Sequence, residues 1–454
     1  MVTDLAPIKA LLPHGSGHHF VFYGDACSGI PGAPHEANFA AVNAALRRLA
    51  PAPEFIVFLG DEIAGLTVDP GALRAQWTYW LNNEMAWLDR AAIPLFHTTS
   101  NHTTYDVMSE AVFQSVHRDL PRNGPPGQQG LAYFIRRRDL LLIFVHTLAS
   151  GLGGEGFVET DWLRAVLRLH ADARHKLVIG HHPVHSVNGY SGAYQRDIGP
   201  ETAAAFWNAL VDGGVNAYLC SHILAFDVQV HRGVLQICSA GAGTAHRMPE
   251  GIEYLHFAQA ALDADGLRYQ VIDAAGQVRE TLRWPLAAPE ASAWRPIAAG
   301  ESEALVYGSA RDDCVVTLRF IGRAAPDGTA AAQTLLSAFR PGEQAPLWIG
   351  LRGREQRLTA IIGPEPRRSP HYWRGPSIAA GATFDFQLMI HTGMGPGGVL
   401  TRRPGEAWTS LSAASPWGAE RLPWPERWSA GHAQGGPLDR PFLGEGLIAA
   451  VTIE

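Results

Sequence analysis

Long apolar runs, cysteine and charge are all scarce in this chain, and each scarcity excludes something. No apolar stretch approaches the roughly 20 residues that a bilayer-spanning helix needs, so no membrane association is expected. Four cysteines, at 27, 220, 238 and 314, are too few and too scattered for a disulfide framework, and reduced thiols are expected. Charged residues make up 17% of the chain and hydrophobic ones 46%, the reverse of the balance that keeps a chain disordered. Basic runs are missing as well: a net charge of −7 without a basic cluster leaves no footprint for nucleic acid, so an anionic substrate must be held by local groups or by metal. Residues 1–15 contain Asp4 and Lys9 and no sustained apolar core, which predicts no signal peptide and hence a cytoplasmic location.

What the chain does have is length for two domains and, in its first 285 residues, one recurring local form. Five apolar segments each run into a small residue and then a ligand-type side chain. They are Phe20-Val-Phe-Tyr-Gly-Asp25, Phe55-Ile-Val-Phe-Leu-Gly-Asp61, Ile93-Pro-Leu-Phe-His-Thr-Thr-Ser-Asn101-His102, Leu177-Val-Ile-Gly-His181-His182 and Val215-Asn-Ala-Tyr-Leu-Cys-Ser-His222. Apolar runs of this length read as strands buried on both faces. Between them, helical spacing predicts helices over about 35–49, 71–90, 107–117, 159–169 and 201–210, and the stretches 133–136 and 140–145 predict a hairpin. Alternating strand and helix implies a parallel sheet covered on both faces, with ligand-type residues at the strand C-termini, where open α/β sheets bind their ligands.

Residues 286–302 turn Pro/Ala-rich without periodicity and read as a linker. Beyond it, short strands near 314–321, 347–351, 357–362, 384–390 and 447–453 lie between Gly/Pro-rich turns, which predicts an all-β sandwich over 303–454.

Aspartate, asparagine and histidine suit Mn, Fe or Zn, and a bridging carboxylate can hold two such ions together. Asp61, Asn101, His181 and His222 make a full set for one ion. Singly, each has an ordinary reading: a Gly-Asp after a strand is commonly a helix cap, and a lone His commonly a surface or core residue. Five such signals in order weigh differently.

That order, together with Gly180-His-His-Pro-Val-His-Ser186, Ala217-Tyr-Leu-Cys-Ser-His222 and Ser239-Ala-Gly-Ala-Gly-Thr244, resembles the calcineurin-like metallophosphoesterase superfamily, and within it the purple acid phosphatase branch. The resemblance spans residues 18–285. It implies an α/β (α+β) metallophosphoesterase fold, a two-layer β-sandwich flanked by helices, and hydrolysis of a small phosphorylated substrate by in-line attack of a metal-bound hydroxide. It further implies Asp61 as the bridge between two ions, with Asn101, His181 and His222 completing one shell and Asp25 in the other. His102 would protonate the leaving oxygen, with Asp106 orienting its imidazole. In residues 303–454, Phe384-Asp-Phe-Gln-Leu-Met-Ile-His391 and the strand within 441–453 resemble a concanavalin A-like sandwich of laminin-G or glucanase type, a jelly-roll-type fold for which a glycan is the implied partner. Trp408, Trp417, Trp424 and Trp428 would then stack on sugar rings or fill the core.

The chain departs from the family pattern at the first metal position. Cys27 and Ala64 stand where nitrogen or tyrosine ligands are usual, and Leu224 occupies the place of the last histidine. Ser100 and Thr103 flank the Asn-His pair where glycine and an acid are usual. One ion is therefore expected, with two as the alternative. Cys27 is either a thiolate ligand of the depleted position or a small buried hydrophobe. His146, His182 and His185 read as packing or hydrogen-bonding residues at the pocket border, and Tyr190 as a substrate contact. Three functions stay open: a metal-dependent phosphoesterase with an altered centre, a non-catalytic descendant that binds a ligand or partner, and a centre diverted to other hydrolytic or metal chemistry.

Overall fold

The strands form where the sequence is apolar without alternation, because both faces of their sheets are covered. A computed structural model describes residues 6–149, 154–155, 157–187, 197–244, 253–285, 293–304, 315–327, 332–340, 347–363, 371–414, 425–433 and 440–453. In chain order the main elements of the N-terminal part are β1 His18–Tyr23, α1 Pro34–Leu46, β2 Ile56–Phe58, α2 Pro70–Tyr79, β3 Leu95–His97, α3 Val107–Val116, β4 Tyr133–Arg137 and β5 Leu140–Phe144. There follow α4 Thr160–Leu169, β6 His175–Ile179, α5 Pro200–Asp212, β7 Ala217–Cys220, β8 Val234–Ser239, β9 His256–Asp263, β10 Gly266–Asp273 and β11 Val278–Trp284.

Two sheets result. One runs β11-β10-β9-β1-β2-β3 and the other contains β8-β7-β6-β5-β4 in that order. The register of the parallel strands fixes where the site lies. Tyr23, Phe58 and His97 are aligned neighbours across β1, β2 and β3. Phe144, Ile179 and Leu219 are aligned across β5, β6 and β7, and Cys220 faces Cys238 on β8. Asp25, Asp61, Asn101, His181 and His222 follow these aligned ends by two to four residues, so each sheet delivers its polar side chains at one edge.

Fully buried Tyr23, Phe39, Phe58 and Trp80 anchor the packing around β1 and β2, with Tyr23 and Phe58 centroids 4.8 Å apart and Phe39 stacked on Trp80 at 5.8 Å. Each such ring contributes roughly 1.5–3 kcal/mol of burial. Two of the helices begin at side-chain caps. Asp69 accepts the Gly71 amide at 2.7 Å, and Asp106 forms a capping box with Ser109. The helix expected over 71–90 stops as α-helix at Tyr79 and continues as a π-helical turn, Trp80–Glu84.

The chain divides into two compact units, the first made of the described residues up to 187, from 197 to 227 and from 234 to 285, and the second of residues 228–233 and the described residues from 293 on. The second unit holds two antiparallel sheets. One includes Val315–Arg323, Thr383–His391 and Glu445–Ile453, and the other includes Gln333–Phe339, Leu347–Arg352, Arg357–Ile362, His371–Ser377 and Arg427–Ala430. Leu318, Phe320 and Leu388 from the first and Leu335, Ile349, Leu358 and Trp428 from the second share one apolar core. The stretch read as linker is partly sheet: Arg295–Ala298 pairs with Glu445–Ile453, and Ser302–Ala304 with Arg427–Ala430. Trp428 is completely buried in the core and Trp408 lies under the Arg402 guanidinium at 4.3 Å, so neither presents an open face to a sugar ring. Trp417, Trp424 and Cys314 lie outside the described residues.

Candidate metal centre

Unusual backbone marks the site. Asp25, Cys27, Asp61 and His222 all have positive φ, between 45° and 69°. Aspartate and histidine tolerate this region better than most residues, yet each instance still costs about 1–2 kcal/mol and persists where the surroundings enforce it. Gly60, at φ 95°, could carry no side chain: a Cβ there would lie 2.7 Å from His181 Nδ1 and 2.7 Å from Ser100 Cβ. The turn after β2 is thus compressed against the His181 ring, which aims Asp61 at it.

Four expected ligands meet. Asn101 Oδ1 lies 2.9 Å from His181 Nε2 and 2.9 Å from His222 Nδ1, these two nitrogens are 3.2 Å apart, and His181 Nε2 is 3.4 Å from Asp61 Oδ2. Ligands bonded at about 2.1 Å to one ion stand about 3.0 Å apart along an octahedral edge and about 3.4 Å apart in a tetrahedron. The spacing of Asn101, His181 and His222, with Asp61 beside His181, therefore suits a single transition-metal ion. The Leu59 carbonyl, 2.8 Å from His181 Nδ1, takes the proton on that side and presents Nε2 to the centre. A proton on Nε2 reconciles the crowded acceptors: burial opposes it, but the Asp61 carboxylate, together with Asp25 and the Leu59 carbonyl, outweighs burial and raises His181 to about 9. Burial likewise opposes the charge on Asp61, and His181 and His102 hold that carboxyl well below its ordinary range nonetheless.

Asp25 sits beside this set, within 4.8 Å of Asp61 and His181 ligand atoms. Its Oδ2 accepts the Ser221 hydroxyl and the His222 amide, the latter at 2.9 Å. Burial and the Asp61 charge push Asp25 up to about 6. Cys27, buried, groups with Asp61 and His102 within the same 4.8 Å, and its amide bonds the Asp61 carbonyl at 2.7 Å. Leu224 is half-buried and donates nothing.

His102 is partly open to solvent, its side chain 26% exposed, with Nε2 3.9 Å from Asp61 Oδ2. Its backbone amide, not its ring, bonds Asp61 Oδ1 at 3.1 Å. Asp106, expected to orient the His102 ring, caps a helix instead. Asp106 Oδ1 accepts the Ser109 amide at 2.7 Å as the cap of α3, and the atom that holds His102 Nδ1 is the Ala64 carbonyl at 2.7 Å. A backbone oxygen does this work.

Of the bordering histidines, His146 Nδ1 bonds Thr99 Oγ1 at 2.7 Å and His185 packs on Trp207 at 4.6 Å, while Tyr190 lies outside the described residues. His182 is the residue that sequence reasoning undervalued. It groups with His181 and His222 at ligand-forming distance, and burial together with its two histidine neighbours keeps it neutral, well below the usual histidine range.

No protein-family model and no curated protein sequence matches the chain. Solved structures do. GAP50, the anchor in the inner membrane complex of Plasmodium, is 16% identical over 59% of this chain and 88% of its own, with a TM-score of 0.40. A purple acid phosphatase from yellow lupin seeds is 12% identical over 60% of this chain and 55% of its own, at 0.44. A dimetal phosphatase from Danio rerio is 16% identical over 56% and 96%, at 0.40. The structural neighbours thus include metallophosphoesterases. At these identities and scores they do not decide chemistry, which comes from this chain's own residues. No helix of the described residues is long and apolar enough to cross a membrane.

Proposed function

We propose that residues 1–285 form a metal-dependent phosphoesterase domain acting on a small phosphomonoester or phosphodiester through a one-ion centre of Asp61, Asn101, His181 and His222. The observation that carries this reading is the meeting of the Asn101, His181 and His222 donors at 2.9–3.2 Å, with Asp61 3.4 Å from His181 and His102 beside them. An ion of Mn, Fe or Zn there supplies positive charge for the phosphoryl oxygens and acidifies water toward a pKa of about 7. The chain does the rest. Leu59, through its carbonyl, fixes the His181 ring, while Asp25, through the His222 amide, fixes the turn that carries His222. The Ala64 carbonyl holds His102 Nδ1 so that Nε2 is the atom that delivers a proton to the departing oxygen. Cys27 belongs to a second, weaker position or to the packing around it, and a purely ligand-binding descendant is the alternative that Leu224 favours. The C-terminal unit we read as a concanavalin A-like sandwich whose glycan contact, if it has one, does not use Trp408 or Trp428.

The test is hydrolysis of a panel of phosphomonoesters and phosphodiesters by the full chain loaded in turn with Mn²⁺, Fe²⁺ or Zn²⁺. Turnover that vanishes in Asp61→Ala and on chelation supports the proposal. Absence of turnover on every ester with every ion removes it and leaves the binding reading.

A further inference from the structure

His182 is completely buried, and its Nε2 has no hydrogen-bond partner among the described residues. The rest of the residue is fixed. Nδ1 bonds Thr147 Oγ1 at 2.8 Å, the backbone amide leans on the same oxygen at 3.4 Å, and the carbonyl accepts the Tyr218 hydroxyl at 2.6 Å. His117, His170 and His175 also have a buried imidazole nitrogen without a hydrogen-bond partner, so what sets His182 apart is where its ring lies. A buried polar atom without a partner costs about 1–3 kcal/mol, and native interiors contain few of them. A leucine of similar volume would fill the space without that cost.

The neighbours of the ring supply the explanation. Its centroid is 4.3 Å from that of His222 and 5.0 Å from that of His181, and one ring nitrogen from each of the three lies within 4.8 Å of the other two. Since Nδ1 is engaged by Thr147, the nitrogen that remains for the centre is Nε2. Adjacent ligands on one ion stand about 3.0 Å apart and opposite ones about 4.2 Å, so His182 joins the set by moving its ring toward the His181–His222 pair. Thr147 plays toward His182 the part that the Leu59 carbonyl plays toward His181, occupying one nitrogen and leaving the other as the donor.

We infer that His182 Nε2 is a ligand of the same ion, so that the centre binds through three imidazoles and prefers nitrogen-seeking ions such as Zn²⁺ over Mn²⁺. The inference rests on the ion-binding reading above. It also accounts for how a centre whose usual last histidine is Leu224 keeps its nitrogen count: the chain takes the missing imidazole from the residue next to His181. Soft and borderline ions gain more from an added imidazole than oxygen-preferring ions do, which gives the selectivity its direction.

The experiment uses the full metal-stripped chain. Zn²⁺ and Mn²⁺ are titrated calorimetrically into the wild type and His182→Leu, whose fold is checked by circular dichroism, and zinc-edge X-ray absorption counts imidazoles in the wild type. Expected are a tenfold or greater loss of Zn²⁺ affinity in His182→Leu, a loss under threefold for Mn²⁺, and three imidazoles around wild-type zinc. If the wild type binds Zn²⁺ with two imidazoles and His182→Leu binds it within twofold, the inference is overturned while the phosphoesterase reading stands. If the wild type binds neither ion, both fall. Should His182→Leu not fold, the imidazole count on the wild type decides alone.

Discussion

Replacing His102 by alanine separates an acid catalyst from a bystander, because the structure divides what the residue does into two parts. The bond to Asp61 comes from the backbone amide, 3.1 Å from Oδ1, and alanine keeps it. The ring contributes one hydrogen bond, to the Ala64 carbonyl, from a side chain that is partly exposed, so its loss should cost the fold only about 1 kcal/mol. Ion content should be unchanged. General acid help is worth about 10²- to 10⁴-fold, or roughly 3–5 kcal/mol of barrier, and that is the predicted fall in kcat/KM on alkyl phosphodiesters. On p-nitrophenyl esters, whose leaving group needs little protonation, the fall should be at least tenfold smaller. The assay is steady-state hydrolysis of both substrates by protein of matched ion content. Equal losses on the two would refute proton delivery and leave a positioning role. An unchanged rate on both would remove His102 from the reaction.

Asp106→Ala should destabilise the first unit by about 0.5–2 kcal/mol through loss of the α3 capping box, with kcat unchanged; a hundredfold kinetic loss at full ion content would restore Asp106 as the partner of His102. Gly60→Ala forces a Cβ to 2.7 Å from His181 Nδ1 at φ 95°, and should cost at least about 2 kcal/mol in thermal melts and weaken ion binding; a melt indistinguishable from wild type would mean the turn is not compressed as described. The metal-stripped protein should lose stability as pH rises from about 6.5 to 9. His181, raised to about 9, contributes fully below its unfolded value near 6.5 and loses that contribution as pH passes through 9. The depressed Asp61 contributes above about 3.9 and loses its share only in acid, outside that window. Asp25, raised to about 6, favours the folded state at low pH and has lost most of that share by pH 6.5, while Glu280, raised by burial to about 7, adds a smaller loss in the same direction within the window. Melting temperatures that stay flat or rise between 6.5 and 9 would contradict this.

The sheets of the first unit were legible because their strands are covered on both faces. Leu140–Phe144 and Val234–Ser239 are buried at every position, and such runs have no competing reading once helices intervene. The residues proposed as ligands share one sheet edge for the same reason, since a polar residue directly after a buried strand has few places to go but that edge. Other features depended on distant partners. Arg295–Ala298 is a strand because Glu445–Ile453 pairs with it, about 150 residues away, and its Pro/Ala-rich composition carries no sign of that. The end of α2 at Tyr79 was missed because the apolar spacing runs on past Trp80 while the backbone loosens toward Asn82 and Asn83, both poor helix formers. Ala64 holds His102 with a carbonyl, which every residue has, so no side chain could announce it. His182 looked like packing because an unsatisfied nitrogen is a property of the folded interior and not of the residue.

The central claim is that one ion sits among Asp61, Asn101, His181 and His222, and native mass spectrometry of the full chain after metal loading tests it most directly. The account predicts one tightly held ion per chain, retained in His102→Ala and lost in His181→Ala and in Asp61→Ala. Two tight equivalents per chain, or no ion under any loading condition, would contradict it.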